Sequence, residues 1–572
     1  MNKHSRPVDE LRAVLQASRN SFLYTGFFSA FINLLLLTPS LYMLQVYDRV
    51  LMSRSEITLL VLTLLVLGLY AIMGALELVR SRILVRVSAR LDMAMNGRLF
   101  TAMFDANLRG GGRTGTLPIQ DLTTLRQFLT GNGLFGFFDA PWIPFYLAVL
   151  FLMHPLMGWT AVGGALILIA LAIANELTTS KPLAMANSQA AASNNYLQGN
   201  LRNAEALDSM GMLENVHQRW LTRHVEMLKL QSLASDRAGL LINASKTTRI
   251  TLQSLILGVG AYLVIQQVLT PGVMIAGSIL MGRALAPIDL LIGSWKGFLS
   301  ARTAYGRLQS LLQSVPARAV NMRLPDPIGQ ISFQEVVAAP PGSTLPVLKR
   351  ISFEVAPGEV VGIIGPSAAG KSTLARVMLG VWPTASGAVR LDGAEIGRWN
   401  REELGPHIGY LPQDIELFDG TVSENIARFG TVNAEQVVAA AQRAGVHEMI
   451  LGLPKGYDTP VGVGGAVLSG GQRQRIGLAR AMYGHPVLVV LDEPNSNLDE
   501  QGEAALVRAI AQLKSEGSTV FLITHRPNVL GGVDKVLVLR EGMVHLFAPR
   551  EQVLPQFARP TAVPSTGMTA VA

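Results

Sequence analysis

At 572 residues the chain is too long for one hydrophobic core, and 49% apolar against 15% charged residues, with a mean hydropathy of +0.34, sets aside a wholly soluble protein in favour of one built around membrane helices. The formal charge of +8 needs no nucleic acid as a partner, because the cytoplasmic flanks of membrane helices collect Lys and Arg. With no cysteine, disulfides, thiol catalysis and thiolate zinc sites are excluded.

Residues 1–21 read as a polar N-terminal segment and not as a cleavable signal, since Asp9, Glu10, Arg12 and Arg19 interrupt it and the next apolar stretch is long enough to span. A bilayer-spanning helix needs about 20 mostly apolar residues. Six stretches qualify: residues 22–46, 57–78, 134–153, 156–177, 250–269 and 273–295. The turns at 154–155 and 270–272 carry no Lys or Arg, whereas the segments from Arg80 to Arg113 and from Lys181 to Lys229 are rich in them, which places both termini in the cytoplasm. Amphipathic periodicity continues through residues 79–108 and 178–249, so the helices are expected to project far beyond the bilayer, by about 45 Å for thirty residues. Breaks near 110–118 and 209–213 mark their farthest points.

Charge inside a span is costly and usually functional. Arg283 and Asp289 share the sixth span but lie about 240° apart around a helix, so they cannot pair along one face. Arg283 falls roughly 16 Å into the span, near the midplane, and is expected to line a path through the membrane. Asp139 reads as a residue at a helix entry near the inner surface. After a transmembrane domain taken as 22–322, residues 323–330 form a polar linker, 331–555 a soluble α/β domain and 556–572 a flexible tail.

That soluble domain holds the chemistry. Gly365-Pro366-Ser367-Ala368-Ala369-Gly370-Lys371-Ser372 follows the apolar run 360–364 and precedes the helix opened by Thr373. In such a strand–loop–helix arrangement, backbone N–H groups and the helix N-terminus surround phosphates, the Lys ammonium adds charge and the next hydroxyl reaches Mg²⁺. Lys371 is therefore assigned to the β/γ-phosphates of ATP and Ser372 to the metal. Downstream stand Leu468-Ser469-Gly470-Gly471-Gln472 and a buried run, 487–491, that delivers Asp492 and Glu493 at its carboxyl end, where open α/β sheets place ligands.

Together these residues resemble the ABC ATPase family, with the type I ABC exporter fold: a six-span α-helical membrane domain with long cytoplasmic extensions, then an α/β P-loop ATPase domain. The resemblance implies that Asp492 and Gln413 join Ser372 around Mg²⁺, that Glu493 is the general base for the attacking water, and that His525 contacts the γ-phosphate. It also implies that Ser469, Gly470, Gly471 and Gln472 close over the nucleotide of a second copy, making a homodimer with two ATP sites. Asn497-Leu498-Asp499 matches a loop crossing between sites, Thr421 to Asn425 a segment meeting coupling helices, and residues 117–125 and 207–216 the coupling helices themselves. Two departures stand out. No aromatic residue for stacking on adenine occurs in 336–344, and Ala368 stands where many P-loops have glycine.

Leu44-Gln45-Val46-Tyr47-Asp48-Arg49-Val50-Leu51 and Phe138-Asp139-Ala140-Pro141-Trp142 narrow the resemblance to the ATPase/permease of type I protein secretion, alkaline protease and lipase exporter branch. This implies a multi-pass inner-membrane exporter of unfolded protein cargo, partnered by a periplasmic adaptor, an outer-membrane channel and membrane lipid. The alternative is a lipid or drug exporter on the same six-span core. Some relatives carry an N-terminal cysteine peptidase; here only about twenty residues precede the first span and cysteine is absent, so cargo is expected to leave uncut, addressed by its C-terminus.

Overall fold

The computed structural model describes residues 9–110, 117–201, 203–317, 323–465, 467–498 and 500–557. The chain divides into two compact units, Met1–Phe104 with Thr114–Ala317, and Asp105–Arg113 with Arg318–Ala572. The expected residues Arg113, Arg202 and Asp499, and most of the break at 110–118, lie outside the described residues.

In the first unit six helices are long and apolar enough to cross a membrane: Arg19–Ser53, Glu56–Gly110, Gly133–Met153, Pro155–Leu201, Leu213–Ile265 and Pro271–Ser314. Each expected span falls on one of them, except that the fifth, 250–269, runs four residues past the end of its helix at Ile265. Four run for 44 to 55 residues, about 66 to 82 Å of helix against a hydrocarbon core of about 30 Å. The turns follow local chemistry. His154 is extended and Pro155 opens the next helix, where its missing N–H costs nothing. Thr270 caps the last helix, and Asp48 at the far end of the first span accepts from the Gly272 amide (2.9 Å) and the Thr270 hydroxyl (2.5 Å). The Tyr-Asp-Arg-Val stretch thus ties the first span to the start of the sixth.

One expectation about charge changes here. Asp139 is more than a helix-entry residue: it accepts from Asn33 (2.8 Å) and pairs with the buried Arg80 (3.3 Å), which also donates to Ser29 and lies over the Phe135 ring. Tyr146 extends this network by donating to the Asn33 carbonyl. Three spans are joined by it, because a guanidinium buried among apolar helices is tolerable only when paired. Asp289 is taken by Arg249 (2.5 Å) and by the Ser245 hydroxyl (2.6 Å). Arg283, in contrast, is exposed and has no ion pair among the described residues.

The first expected coupling segment is the 14-residue helix Leu117–Thr130, fixed to the rest of its unit by Arg307 on Asp121 (2.8 and 2.5 Å) and Arg126 on Asp92 (2.8 Å). The second is a short helix, Ala204–Ser209, followed by a turn with Gly211 at φ 63°.

The second unit contains two sheets. One is antiparallel, in the order β2-β1-β4-β5, from β1 (Ile331–Ala338), β2 (Leu348–Val355), β4 (Ser386–Leu391) and β5 (Ala394–Glu395). The other follows the order β10-β9-β3-β8-β7-β6, with β3 (Val360–Ile364), β6 (Ile408–Leu411), β7 (Leu488–Asp492), β8 (Thr519–Ile523), β9 (Lys535–Arg540) and β10 (Met543–Pro549). Strands β9, β3, β8, β7 and β6 run parallel; only β10 is reversed. The sequences Val-Val-Gly-Ile-Ile and Thr-Val-Phe-Leu-Ile do not alternate because both faces of such a sheet are covered.

Candidate nucleotide site

The carboxyl ends of β3, β7 and β8 converge, and the expected residues of the nucleotide pocket meet there. After β3 the chain turns at Gly365, where an added Cβ would collide with the Leu539 carbonyl, and enters the helix Lys371–Met378 through Gly370 at φ 100°. Between them Ala368 adopts φ 63°, left-handed for a residue with a side chain, which costs about 1–2 kcal/mol. Sequence spacing permits alanine here; the backbone shows that glycine would be easier. Ser367 and Ala369 complete the loop, and Ser372 and Thr373 lie in the first helical turn.

Lys371 is 8% exposed and its ammonium donates to the carbonyls of Gly365 (2.9 Å) and Pro366 (3.0 Å). Burial pulls its pKa down, while the charges of Glu493 and Asp492 push back.

Asp492 ends β7 at 1% exposure, and neither of its carboxylate oxygens has a hydrogen bond of ordinary geometry. Burial raises its pKa, partly offset by the nearby Ser372 hydroxyl. Two orphaned acceptors beside a serine hydroxyl fit a hard cation with oxygen ligands, as Mg²⁺ is. Successive strand side chains point to opposite faces, yet Asp492 and Glu493 both serve this edge. Glu493 achieves it by leaving the strand at φ 50°, its amide still bonded to the Ile523 carbonyl of β8 (3.0 Å). Its carboxylate accepts from Gln413 (3.1 Å) and stands 3.7 Å from His525 Nε2. Glu493, Gln413 and His525, chosen from three separate motifs, form one cluster.

The signature residues go elsewhere. Ser469 caps the helix Gly470–Ala481 in a reciprocal box with Gln472, its hydroxyl accepting from the Gln472 amide (3.3 Å) and Gln472 Oε1 from its own (2.9 Å). Among the described residues no hydrogen bond joins this turn to the P-loop; Gly470 and Gly471 face Asn497. Sequence reasoning missed Gln474. It is buried, donates to the Pro494 carbonyl (2.5 Å) and accepts from the Asn497 amide (2.8 Å), locking the loop after Glu493 to the signature helix. Its position on the inward face with Leu478 and Ala481 was the available signal, since a buried amide must find partners. Glu424 and Asn425 likewise turn inward, onto Thr421 and Phe418 of their own loop.

The raised pKa of Asp492 has a sign. The folded chain holds the proton more tightly than the unfolded chain, so the penalty of the buried carboxylate is absent below the ordinary carboxylate range and grows as pH rises through the raised folded-state pKa. Asp492→Asn is therefore expected to raise the melting temperature of the nucleotide-free protein at pH 7, by about 2–4 °C per kcal/mol relieved, with the gain shrinking on acidification. It should also abolish any further stabilisation by Mg²⁺ with ATP. A lower melting temperature at every pH, by scanning fluorimetry, would count against the unpaired-carboxylate reading.

The chain matches the ABC transporter family over residues 348–496 and the ABC transporter transmembrane region over residues 22–286. It is 46% identical over 554 residues to the type I secretion system ATP-binding protein PrsD of Rhizobium meliloti (strain 1021), covering 96% of this chain and 95% of that one. It is 30% identical to the cyclolysin secretion/processing ATP-binding protein CyaB of Bordetella pertussis, over 91% of this chain and 74% of the relative. In fold it is similar to a bacterial Atm1-family ABC exporter solved with ATP bound, at a TM-score of 0.76 and 22% identity, covering 94% of this chain and 96% of that one. The chain therefore belongs to the ABC transporters, as a multi-pass permease and ATPase of the type I secretion branch that couples ATP hydrolysis to transport.

Proposed function

We propose that the chain exports unfolded protein cargo, of the protease or lipase kind and addressed by an uncleaved C-terminal signal, across the inner membrane with both termini cytoplasmic. It works as a homodimer with a periplasmic adaptor and an outer-membrane channel. The similarity to PrsD and CyaB, whose names describe secretion systems, supports protein cargo over the lipid or drug alternative. We take residues 22–322 as the export domain, 331–555 as the ATPase, and the segments 117–125 and 207–216 as the links between them.

The observation that carries the enzymatic part is the convergence of Gln413 and His525 on Glu493, with Lys371 and Asp492 beside them. Lys371 with the backbone N–H groups of Gly365 and of Ser367 to Thr373 binds the phosphates of ATP; Ser372, Asp492 and Gln413 would hold Mg²⁺, which would supply charge neutralisation to the phosphates. Glu493 takes the proton of the attacking water. Gln413 orients that carboxylate, and His525 lies on its other side, where a γ-phosphate would be sensed. Ser469 and Gly470 to Gln472 cap the nucleotide of the second copy. The exposed Leu345, two residues before the Val347 side chain that borders Gly370, offers adenine an apolar contact in place of the missing aromatic.

Glu493→Gln should keep ATP binding and reduce turnover by at least about 100-fold, the scale of general-base catalysis, whereas Lys371→Ala should weaken binding itself. Hydrolysis near the wild-type rate in nanodiscs would remove Glu493 from the role of base.

Arg283, exposed and without an ion pair among the described residues, supports a path-lining role. Arg283→Ala should impair cargo export while ATP hydrolysis persists, and Arg283→Lys should retain more export. Normal export by Arg283→Ala would show that the path runs elsewhere.

A further inference from the structure

The unit of membrane helices carries a groove of about 440 Å³ that nothing above employs, within the roughly 300–1,000 Å³ of small-molecule sites. It lies between the N-terminal helix Glu10–Ala17 and the start of the first span. Leu15, Phe22, Leu23 and Phe138 give it apolar walls, and Arg12 and Arg19 border it almost wholly through their aliphatic stems, so that their charges belong to its surroundings and not to its walls.

The sequence builds the groove in three steps. Asp9 caps the short helix by accepting from the Arg12 amide (3.1 Å), and Leu11, fully buried, anchors its inner face. The two acids are then consumed by the body of the unit: Glu10 pairs with Arg98 (2.8 Å), and Asp9 accepts from Gln309 (2.9 Å) and Tyr305 (3.4 Å). What is left at the groove is positive. Arg12 and Arg19 are both exposed and neither has an ion pair among the described residues. The apolar wall continues outward into Leu23, Tyr24 and Phe27, about 60% exposed on the first span, so the groove opens where the lipid-facing surface begins.

An occupant must satisfy two guanidinium groups and an apolar trough that runs into the bilayer. A soluble anion meets the first requirement only, and an apolar peptide the second only. We propose that the groove binds an anionic phospholipid, its phosphate on Arg12 and Arg19 and one acyl chain along Leu15, Phe22, Leu23 and Phe138. Phe138 also packs near Gly26 of the first span and immediately precedes Asp139 of the buried Arg80 pair. A seated lipid therefore braces the first and third spans where that network joins them.

The test is native mass spectrometry of the full-length detergent-solubilised protein, titrated with dioleoyl phosphatidylglycerol or dioleoyl phosphatidylcholine. Each arginine facing an anionic lipid is worth about fivefold in affinity. Wild type should prefer phosphatidylglycerol, and Arg12→Gln/Arg19→Gln should lose most of that preference with basal ATP hydrolysis unchanged. A matched exposed pair, Arg86→Gln/Arg90→Gln, should keep it. Equal loss in both double variants, no preference in wild type, or displacement of the lipid by glycerol 3-phosphate or by an apolar peptide at comparable concentration would overturn the proposal.

Discussion

The ATPase unit depends on one electrostatic imbalance. Asp492 and Glu493 stand side by side at the end of β7, and the ammonium of Lys371 is the cation that acts on both. A buried carboxylate without a hydrogen-bond partner is a liability of about 1–3 kcal/mol or more. It persists because the surrounding sheet over-determines its position: β7 is buried along its whole length, between β6 and β8. The free chain therefore holds unfavourable negative charge that a bound cation can relieve, and cation binding is favoured by the same effect that costs stability. The left-handed backbone at Glu493 belongs to this design, since it brings a second carboxylate to an edge that strand alternation would have denied it.

The membrane unit is organised by the same rule in a drier setting. Arg80 and Asp139 are retained between helices because each pairs with the other, with Ser29 and Asn33 adding hydrogen bonds and Tyr146 holding Asn33, while Arg80 Nε keeps no hydrogen-bond partner among the described residues. Arg249 with Asp289 repeats the arrangement between the fifth and sixth helices. Asp48 does so at the opposite end of the first span, where Gly272 is needed because a Cβ would press on the carboxylate at 2.5 Å. Against that background Arg283, exposed within a span and without an ion pair among the described residues, marks a place where the protein leaves charge accessible.

Much of this was legible in the chain. The phosphate loop, the strand carrying Asp492 and the six spans were readable because a fixed spacing or a continuous apolar run encodes each within a few consecutive residues. The extension of the helix Glu56–Gly110 well past its apolar stretch was readable too, because amphipathic periodicity continues through residues 79–108 where hydrophobicity stops. Partners distant in sequence and outside any motif were not readable. Arg80 looks like a surface charge until Asp139 is seen beside it. Arg428 gives no hint that its guanidinium binds the carbonyls of Gly405, Arg480, Ala481 and Tyr483, or that burial, helped by the charge of Arg480, pushes its pKa down to about 10. The helix Glu10–Ala17 carries an Asp9 cap and apolar residues at Leu11, Val14 and Leu15, but eight residues are too few for periodicity to mark a helix against a polar segment.

We propose that one chain holds only half of each ATP site, its P-loop and its signature turn serving different nucleotides. Mixing two damaged chains tests it directly. In a pair made of Lys371→Ala and Ser469→Arg chains, one site combines an intact P-loop with an intact signature, and the other combines both lesions. Vanadate trapping of nucleotide in such mixed pairs should recover about half of the wild-type occupancy, while either variant alone traps almost none. If the mixed pairs trap no more than the separate variants, the sites are complete within single chains and the account of a shared site is wrong.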